Sequence, residues 1–425
     1  MNSRHPELKS FIEVEQNSDF PIQNLPYGVF KCKNKPTPRV GVAIGSMLID
    51  LDCLESKGLL KLSQKVFHHS SLNEFINLGK VEWDKTRQKL RELLSFDCPI
   101  IRDKPVLKEQ CLHKRSEVEM LLPIQVGDYT DFYSSIEHAS NVGSMFRDKN
   151  NPLLPNWKHL PVGYHGRASS IVVSGSNIKR PVGQIKQSEQ TPPHLQACAK
   201  LDFELELAAV IGKKSKVGQT IKLEEAPSHV FGFVLMNDWS ARDIQKWEYV
   251  PLGPFVSKSF ATSVSPWVIP MSALEPFKVK GPQQDPTPLK YLQHQENDKA
   301  HFDINLSISL QGKEHERSKK ISQTNSKSLY WSLAQQITHH TITGCNINVG
   351  DLMASGTISG QEKNSYGSML ELSWNGQKPI QIDENNKRSF LEDYDQVIMN
   401  AWSECETYKL GFGELTGQIL PAAEL

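Results

Sequence analysis

The continuous apolar segment Val230-Phe-Gly-Phe-Val-Leu-Met236, which ends abruptly at Asn237-Asp238, constrains the fold more than any other part of the sequence. Its length of about seven residues is well short of the ~20 apolar residues that a membrane-spanning helix requires. An apolar segment this short, without polar alternation, is typical of a strand that is buried on both faces. The segment therefore predicts such a strand, with Asp238 at its end.

Other segments also carry strand patterns. Residues 303–310 place polar side chains at odd positions and apolar ones at even positions, which predicts a strand with one dry and one wet face. Residues 40–50 predict two strands around a Gly-Ser turn, and residues 368–374 predict a strand that ends at the hairpin dipeptide Asn375-Gly376. Many short strands with few helices predict a fold that is mainly β with some α, arranged as an antiparallel roll or barrel.

The length and the punctuation of the chain predict its domains. The sequence has 425 residues, and a domain size of about 150 residues gives two or three domains. Ser71-Leu-Asn-Glu74 has a capping-box pattern, and a second helix is predicted over residues 81–94. Polar, proline-punctuated sequence then leads to a boundary near residue 122, so we predict domains 1–122 and 123–425. Residues 311–326 and 383–392 are polar and are predicted to be surface loops.

Composition excludes several classes of protein. Lys plus Arg and Asp plus Glu number 48 each, and this balance argues against a nucleic-acid-binding protein. The polar start lacks the apolar core of a secretory signal, so we expect a cytoplasmic chain without a membrane partner. The seven cysteines are scattered, and none forms a Cys-x-x-Cys pair. A disulfide framework and a thiolate zinc site are therefore not expected. P-loop, H-E-x-x-H and G-x-S-x-G motifs are absent.

Acidic residues occur where they should repel one another. In Asp202-Phe-Glu-Leu-Glu-Leu207 the alternation places Glu204 and Glu206 on one strand face, with Cα atoms roughly 6.5–7 Å apart. Apolar residues follow, so the acids lead into the interior and need a cation between them. An isolated pair of this kind is more often a solvated face. Asp131 and Asp238 add two acids, and Asp238 has two interpretations, a metal ligand or a helix N-cap, with the cap slightly favoured.

Basic and polar residues give weaker signals that also have two interpretations. His138 lies in the first turn of a helix that begins at Ser134-Ser-Ile-Glu137, where the helix dipole keeps imidazole neutral and available as a base. Taken alone, it is more simply a surface histidine. Arg242, Gln245 and Tyr249 share one helix face, which is either a surface that binds anions and carbonyls or an ordinary polar face.

Two further segments stay open on the residues alone. Lys258 and Thr262 lie in and just beyond a Pro/Gly-rich stretch, where a solvated lysine is the simpler interpretation. Gly356-Thr-Ile-Ser-Gly360 is a loop of small residues whose backbone N–H groups could meet a carboxylate, or else a plain hairpin turn.

Together, the order and spacing of these segments resemble the fumarylacetoacetate hydrolase family. The resemblance covers nearly the whole chain and is carried by long motifs: Asp19-Phe-Pro-Ile-Gln-Asn-Leu-Pro-Tyr-Gly-Val-Phe30, Asp128-Tyr-Thr-Asp-Phe-Tyr133, Leu160-Pro-Val-Gly-Tyr-His-Gly-Arg167, Leu205-Glu-Leu207, Met236-Asn-Asp-Trp-Ser-Ala-Arg-Asp243, Lys258-Ser-Phe260, Ala354-Ser-Gly-Thr-Ile-Ser-Gly360 and Gly367-Ser-Met-Leu-Glu371.

The resemblance implies a small SH3-like first domain, a β-roll catalytic domain and a homodimer. It implies a divalent cation, Ca²⁺ or Mg²⁺, held by Asp131, Glu204, Glu206 and Asp238, with Lys258 and Thr262 in a neighbouring magnesium subsite. It further implies a general base, His138, oriented by Glu371. The groups that stabilise negative charge are then Arg242, Gln245 and Lys258, and the substrate contacts are Tyr133, Arg147, Tyr164, Gln245, Tyr249 and Thr357.

The activity implied is metal-dependent hydrolysis of a carbon–carbon bond in 4-fumarylacetoacetate, giving fumarate and acetoacetate in the last step of tyrosine and phenylalanine breakdown. All-oxygen ligands suit a hard cation, and a dicarboxylate diketone substrate accounts for several cations in a neutral chain. The alternatives are an acylpyruvate hydrolase or a β-keto-acid decarboxylase with the same metal cradle. A catalytically silent binding scaffold is a third hypothesis, which the presence of both His138 and Glu371 disfavours.

Overall fold

The structure is a computed structural model that describes residues 8–188, 190–313 and 317–424. The first residues of the chain, where the sequence predicts no secretory signal, lie outside this range up to position 7. Within it, no helix has both the length and the apolar character needed to cross a bilayer.

The first part of the chain forms an antiparallel five-stranded sheet with helices beside it. The strand order is β4-β3-β2-β1-β5, and the elements are β1 (Tyr27–Cys32), β2 (Lys35–Ile44), β3 (Met47–Asp50), α1 (Leu51–Ser56), α2 (Asn73–Asn77), α3 (Lys80–Leu94), α4 (Pro99–Arg102), α5 (Pro105–Cys111), β4 (Leu112–Lys114) and β5 (Val118–Leu121). The strand pair predicted over residues 40–50 and the helix predicted over residues 81–94 are confirmed as β2–β3 and α3.

Two expectations for this part are wrong. Ser71 does not cap α2, because the N-cap position is Leu72, whose backbone N–H donates to the carbonyl of Pro123 and whose side chain is buried. Cys53 and Cys111 form a disulfide, with Cα atoms 5.5 Å apart. Their separation of 58 residues gives no local sequence signal, and the packing of α1 against α5 brings them together.

The second part holds most of the strands. Its first half comprises β6 (Tyr129–Phe132), α6 (Ile136–Phe146), β7 (Gly163–Gly166), β8 (Ile171–Val173), β9 (Ile178–Lys179), β10 (Val182–Ile185), β11 (His194–Ala197), β12 (Leu201–Asp202), β13 (Leu205–Ile211), β14 (Val230–Asp238), β15 (Ser240–Ala241), α7 (Arg242–Glu248), α8 (Val256–Ser259) and β16 (Thr262–Val264).

Its second half comprises β17 (Ile269–Pro270), α9 (Met271–Leu274), β18 (Lys278–Val279), β19 (His301–Phe302), β20 (Asn305–Gln311), β21 (Lys319–Asn325), α10 (Leu333–Thr341), β22 (Leu352–Ala354), α11 (Met369–Leu372), β23 (Ile380–Gln381), β24 (Lys387–Arg388), β25 (Gln396–Glu404) and β26 (Lys409–Leu420). The described chain is thus mainly β with some α, as the sequence predicts.

An eight-stranded sheet positions the candidate site. Its order is β7-β6-β22-β13-β14-β16-β8, with β17 also paired to β14. Successive side chains of β14 enter different cores: Phe233 and Leu235 pack in one, and Val234 and Met236 pack in the other. This alternation confirms the doubly buried strand and explains its apolar sequence, because neither face of β14 meets water.

A second five-stranded sheet, ordered β21-β20-β25-β26-β9, covers one of these cores. The alternating strand predicted over residues 303–310 is confirmed as β20, although Ser307 is buried as well. The loop predicted over residues 311–326 is wrong in part, because β21 pairs along β20. The sequence pattern did not indicate this strand, because Ser322 and Thr324 occupy its buried positions in place of apolar residues. Likewise, residues 383–392 include the short strand β24.

The predicted boundary at residue 122 lies in the connection between β5 and β6. Buried side chains from both sides of this point pack in one core, in which Val29 and Val42 of the first sheet join Val234 and Met236 of β14. The first sheet therefore packs against one face of the strands that carry the site.

Candidate active site

Four buried carboxylates that lie on or next to three strands of the eight-stranded sheet, β6, β13 and β14, converge. They belong to Asp131, Glu204, Glu206 and Asp238, and one oxygen of each lies within 4.8 Å of the others. Glu206 pairs with Met236 in the antiparallel ladder of β13 and β14, so the end of β13 that carries the two glutamates lies beside Asp238. Asp131 lies on β6, which pairs with β22. All four side chains are nearly inaccessible to solvent.

The hydrogen bonding of this cluster fits a bound cation. Oδ1 of Asp131 and Oε1 of Glu206 are buried and have no hydrogen-bond partner among the described residues. Burial, together with the neighbouring carboxylates, raises the pKa of Asp131 and of Glu206 well above the ordinary range. Such a cluster is unfavourable unless a positive charge lies among the oxygens. The all-oxygen donor set is the one that hard divalent ions prefer, so these residues could hold a metal ion.

Lys258 lies inside the cluster. Its Nζ donates to Oε2 of Glu204 and to Oδ2 of Asp238, and the side chain is buried. Burial alone lowers the pKa of Lys258, but Asp238 and Glu204 outweigh this effect and raise it. The solvated lysine favoured by the residues alone is therefore wrong, because α8 folds its side chain inward against the strand ends.

Asp238 is surrounded by donors and caps no helix. Thr262 donates to its Oδ1 at 3.3 Å, and the Tyr164 hydroxyl donates to its Oδ2 at 2.8 Å. The N-cap of the following helix, α7, is Ala241, and no side chain caps that end. The cap interpretation of Asp238 is therefore wrong, and burial raises the pKa of its carboxyl group.

Arg242 binds the cluster from the start of α7. Its Nη2 donates to Oε1 of Glu204 at 2.7 Å, and its Nη1 donates to Oε1 of Gln245 at 3.1 Å. Burial would raise the pKa of Glu204, but Lys258 and Arg242 together lower it. Glu204 therefore differs from the other three acids of the cluster, whose pKa values are raised. Tyr249, the third residue of this helix face, is 48% exposed and lies outside the buried cluster.

His138 and Glu371 form a buried pair beside the acids. Nδ1 of His138 lies 2.7 Å from Oε2 of Glu371, and Nε2 of His138 lies 4.0 Å from Oε1 of Glu204. Burial would raise the pKa of Glu371, but His138 outweighs it and lowers it. A carboxylate only accepts, so Nδ1 carries a proton, and Nε2 is the ring nitrogen that faces the acids.

Two local details here differ from expectation. His138 is buried rather than a surface histidine. The helix α6 is capped by Ser135, whose Oγ accepts from the backbone N–H of His138 at 3.2 Å, and not by Ser134. The Ser134 hydroxyl instead accepts from the side-chain amide of Gln336.

The strand predicted over residues 368–374 is wrong, because residues 369–372 form helix α11. Ser368 is the N-cap of α11 and accepts from the backbone N–H of Glu371. The Ser-x-x-Glu capping pattern determines the local structure here, although the apolar alternation is typical of a strand. At the end of the helix, Trp374, Asn375 and Gly376 adopt positive φ angles of 51°, 56° and 83° in place of a hairpin.

Sequence analysis missed the side chains that hold Glu371. Ser359 and Ser368 donate to its Oε2 at 2.9 and 2.8 Å, and Asn141 donates to its Oε1 at 2.9 Å. The capping pattern at Ser368 and the i, i+3 spacing of His138 and Asn141 on α6 were the available signals. Asp202, the first acid of the alternating series, is also buried and binds Nε of Arg242.

The small-residue loop at Gly356 meets a carboxylate of the protein. Its backbone N–H donates to Oε2 of Glu206 at 3.1 Å. Gly356 has φ +75°, and a Cβ there would lie 2.1 Å from the carbonyl oxygen of Phe132, so only glycine fits. The residues are not a hairpin. Thr357, next in the loop, is buried, and its Oγ1 has no partner among the described residues.

The remaining predicted substrate contacts lie at the edge of the site. The Tyr133 ring packs edge-on against the His138 ring, with centroids 5.2 Å apart. Burial raises the pKa of the Tyr133 phenol, so it stays protonated. Arg147 is exposed at the end of α6, where its Nη2 donates to the carbonyl of Pro152 at 2.9 Å. The structure thus brings the acids, Lys258, Arg242 and the histidine together in a buried cluster, whereas Arg147 and Tyr249 are exposed.

Two family models match the chain. Residues 129–420 match the fumarylacetoacetate (FAA) hydrolase C-terminal model, and residues 23–123 match the fumarylacetoacetase N-terminal model. The chain is 54% identical to the fumarylacetoacetase of Dictyostelium discoideum over 98% of each chain. It is 52% identical to the human fumarylacetoacetase over 97% of this chain and 99% of the relative.

Solved structures share the fold at lower identity. The fumarylacetoacetate hydrolase from psychrophilic Exiguobacterium antarcticum superposes with a TM-score of 0.54 at 17% identity, covering 93% of this chain and 99% of that one. This similarity supports the architecture described above.

Proposed function

Because this chain belongs to the fumarylacetoacetate hydrolase family, we propose that it hydrolyses a carbon–carbon bond of 4-fumarylacetoacetate, in the last step of tyrosine and phenylalanine breakdown. The products are fumarate and acetoacetate. The observation that carries the proposal is the position of Nε2 of His138, 4.0 Å from a carboxylate of a buried four-acid cluster. A base and a cation site lie side by side, as hydrolysis of a 1,3-diketone requires.

The proposed cofactor is a divalent ion, Ca²⁺ or Mg²⁺, held by Asp131, Glu204, Glu206 and Asp238. When bound, it would supply Lewis acidity that polarises the carbonyl groups of the substrate. Lys258 and Thr262, both bound to Asp238, are the proposed residues of a neighbouring magnesium subsite.

The proposed proton transfers use His138 and Glu371. Nε2 of His138 takes a proton from the water that adds to the carbonyl carbon of the fumaryl group, the carbon that becomes a carboxyl carbon of fumarate. Glu371, held by its serine and asparagine donors, fixes the ring and stabilises the imidazolium. The carbon–carbon bond then breaks, and its electron pair remains on the acetoacetate carbon. The imidazolium returns its proton to that carbon, which regenerates the neutral base.

Arg242, Gln245 and Lys258 are the proposed donors to the negative charge that develops on the substrate. Arg242 and Lys258 are buried and already bound to Glu204, so they are fixed before the reaction begins. Preorganised donors of this kind contribute about 2.7–4 kcal/mol each to lowering a barrier.

The proposed substrate contacts are Tyr133, Arg147, Tyr164, Gln245, Tyr249 and Thr357. The unpartnered hydroxyl of the buried Thr357 supports this role, because a substrate oxygen would satisfy it. Arg147 and Tyr249 are exposed, so their proposed partner is the end of the dicarboxylate that faces solvent.

Three further properties belong to the proposal. The active unit is a homodimer, the enzyme is cytoplasmic, and the domains are 1–122 and 123–425. The balanced charge of the chain, with 48 basic and 48 acidic residues, supports a small-molecule enzyme without a nucleic-acid partner.

A direct assay tests the proposal. Purified protein should remove the ultraviolet absorbance of 4-fumarylacetoacetate and release fumarate and acetoacetate in equal amounts, and a chelator should abolish the reaction. Acylpyruvates and β-keto acids serve as competing substrates. Faster turnover of an acylpyruvate, or release of CO₂ from a β-keto acid, would favour the corresponding alternative activity.

A further inference from the structure

Asp202 is a buried carboxylate that binds both halves of the candidate site. It lies on β12, which pairs with β15 immediately before Arg242. Its Oδ2 accepts from Nε of Arg242 at 2.8 Å and from the backbone N–H of Leu370 at 3.0 Å. Its Oδ1 accepts from the backbone N–H groups of Met369 and Phe203 at 2.7 and 2.8 Å.

These four contacts fill the acceptor capacity of the carboxylate, with two donors on each oxygen. Met369 and Leu370 are the first two residues of α11, the four-residue helical turn that carries Glu371, so the carboxylate holds this turn through two backbone N–H groups. The other partner, Arg242, holds Glu204 of the acid cluster. The Asp202 side chain thus contacts both Arg242, a proposed charge-stabilising residue, and the helix that carries Glu371, a proposed residue of the proton transfer.

We propose that Asp202 is a positioning residue that ties the guanidinium of Arg242 to the helix turn carrying Glu371, and so fixes the distance between His138 and the groups that bind the reacting oxygens. The proposal rests on the hydrolase function proposed above. Asp202 itself touches neither water nor substrate, because its side chain has no solvent exposure and both its oxygens are occupied.

The substitution Asp202→Asn tests this role with little change in volume. An asparagine keeps one acceptor oxygen but points an NH₂ group at two of the four donors, so either Arg242 or the start of α11 must move. A displacement of about 1 Å costs roughly 100-fold in rate. We therefore expect kcat to fall about 100-fold while KM changes by less than about threefold, because substrate binding groups remain.

Asp50 provides a matched control in the first sheet. It is also buried, accepts from Nε of a buried arginine, Arg39, and accepts from the backbone N–H of Cys53 at the start of α1. Asp50→Asn should lower the melting temperature to a similar extent and leave kcat unchanged. Equal losses of kcat in both variants would overturn the positioning role and indicate a general loss of stability.

A double-mutant cycle with Glu371→Gln gives a second readout. If Asp202 acts by placing Glu371, then Asp202→Asn should cost less than about tenfold in kcat when Glu371 is already replaced. If kcat of the double variant instead falls by the product of the two single-variant factors, the proposal is contradicted.

Hydrogen exchange of the unmodified enzyme gives a third readout that does not depend on a folded variant. The amides of Met369 and Leu370 should exchange as slowly as those of the core strands, because the Asp202 carboxylate accepts from both. Exchange at the rate of an exposed loop would overturn the proposal. Absence of turnover in the unmodified enzyme would contradict the hydrolase function, whereas an active enzyme with an equally active Asp202→Asn variant would contradict only the positioning role.

Discussion

Nδ1 of His138 lies 2.7 Å from Oε2 of Glu371, and both side chains are buried. The pair joins two segments separated by 233 positions in the chain. It also fixes the tautomer of the imidazole, since only a proton on Nδ1 satisfies the carboxylate. The other ring nitrogen, Nε2, faces the acid cluster.

His138→Ala should reduce kcat by about 100- to 10,000-fold, which is the usual contribution of a general base. Metal binding should change little, because His138 is not among the four clustered acids, whereas the melting temperature should fall, because Glu371 loses a buried partner. Turnover followed by ultraviolet absorbance, with calorimetric metal titration in parallel, checks both statements. Normal turnover in this variant would remove His138 from the mechanism and would favour a decarboxylase, which needs no base to activate water.

Lys258→Met should remove the only ammonium group that the described structure places between Glu204 and Asp238. We expect kcat to fall about 100- to 1,000-fold, as for the loss of one preorganised donor. Added Mg²⁺ should raise the melting temperature more than in the unmodified enzyme, because the carboxylates then lack their internal cation.

Lys327→Met is the matched control for this substitution. Its ammonium group forms an exposed ion pair with Asp303, and exposed pairs contribute little to stability. This control should behave like the unmodified enzyme. A control variant that loses as much activity as Lys258→Met would contradict the assignment.

Gly356→Ala should weaken both stability and metal binding. A side chain at this position meets the carbonyl of Phe132 and requires an unfavourable positive φ, so the loop must move and its N–H must leave Glu206. Gly58→Ala isolates the conformational cost alone, because Gly58 also has a positive φ, +71°, but nothing lies within 4 Å of an added Cβ. We expect about 1–2 kcal/mol from conformation at Gly58 and a larger loss at Gly356. Equal losses, measured by urea unfolding, would argue against the close approach.

The stability contributed by Asp50 should depend on pH. Burial raises the pKa of its carboxyl group, but the neighbouring His113 and Arg39 side chains outweigh this and lower it. A group whose pKa is lower in the folded state stabilises the fold above its unfolded pKa of about 3.9. This contribution is lost as the pH falls through the lower, folded value.

The difference in unfolding free energy between the unmodified enzyme and Asp50→Asn should therefore be largest near neutral pH, about 3 kcal/mol for a broken buried pair, and should shrink below about pH 4. Urea unfolding at several pH values measures it. A difference that grew as the pH fell would contradict the direction of the shift.

The sequence predicts the elements whose burial is uniform. β14 is recognisable because both of its faces enter apolar cores, and β20 because one face does. Prediction fails where a few polar contacts decide the local structure. Residues 368–372 alternate like a strand, yet the Ser368 hydroxyl caps a helix, and β21 buries Ser322 and Thr324 in place of apolar side chains.

The candidate site was predictable in its residue types but not in its contacts. A lysine in a Pro/Gly-rich stretch carries no local sign that it will be buried between two carboxylates, because its partners Glu204 and Asp238 lie on other elements. The pairing of Cys53 with Cys111 is equally non-local. Only the motif resemblance, which spans distant segments at once, predicted that the acids would meet.

The account depends most on the claim that the four buried acids hold one divalent cation. Calorimetric titration of the metal-free enzyme with Mg²⁺ or Ca²⁺, alongside the variant Asp131→Asn, tests it most directly. We predict one strongly bound ion per chain, with turnover restored in proportion to occupancy. The variant should bind the ion at least about 100-fold more weakly, because losing a direct ligand should cost no less than losing a hydrogen-bond partner of a ligand. Turnover that persists without any bound ion, or equal affinity in Asp131→Asn, would contradict the account.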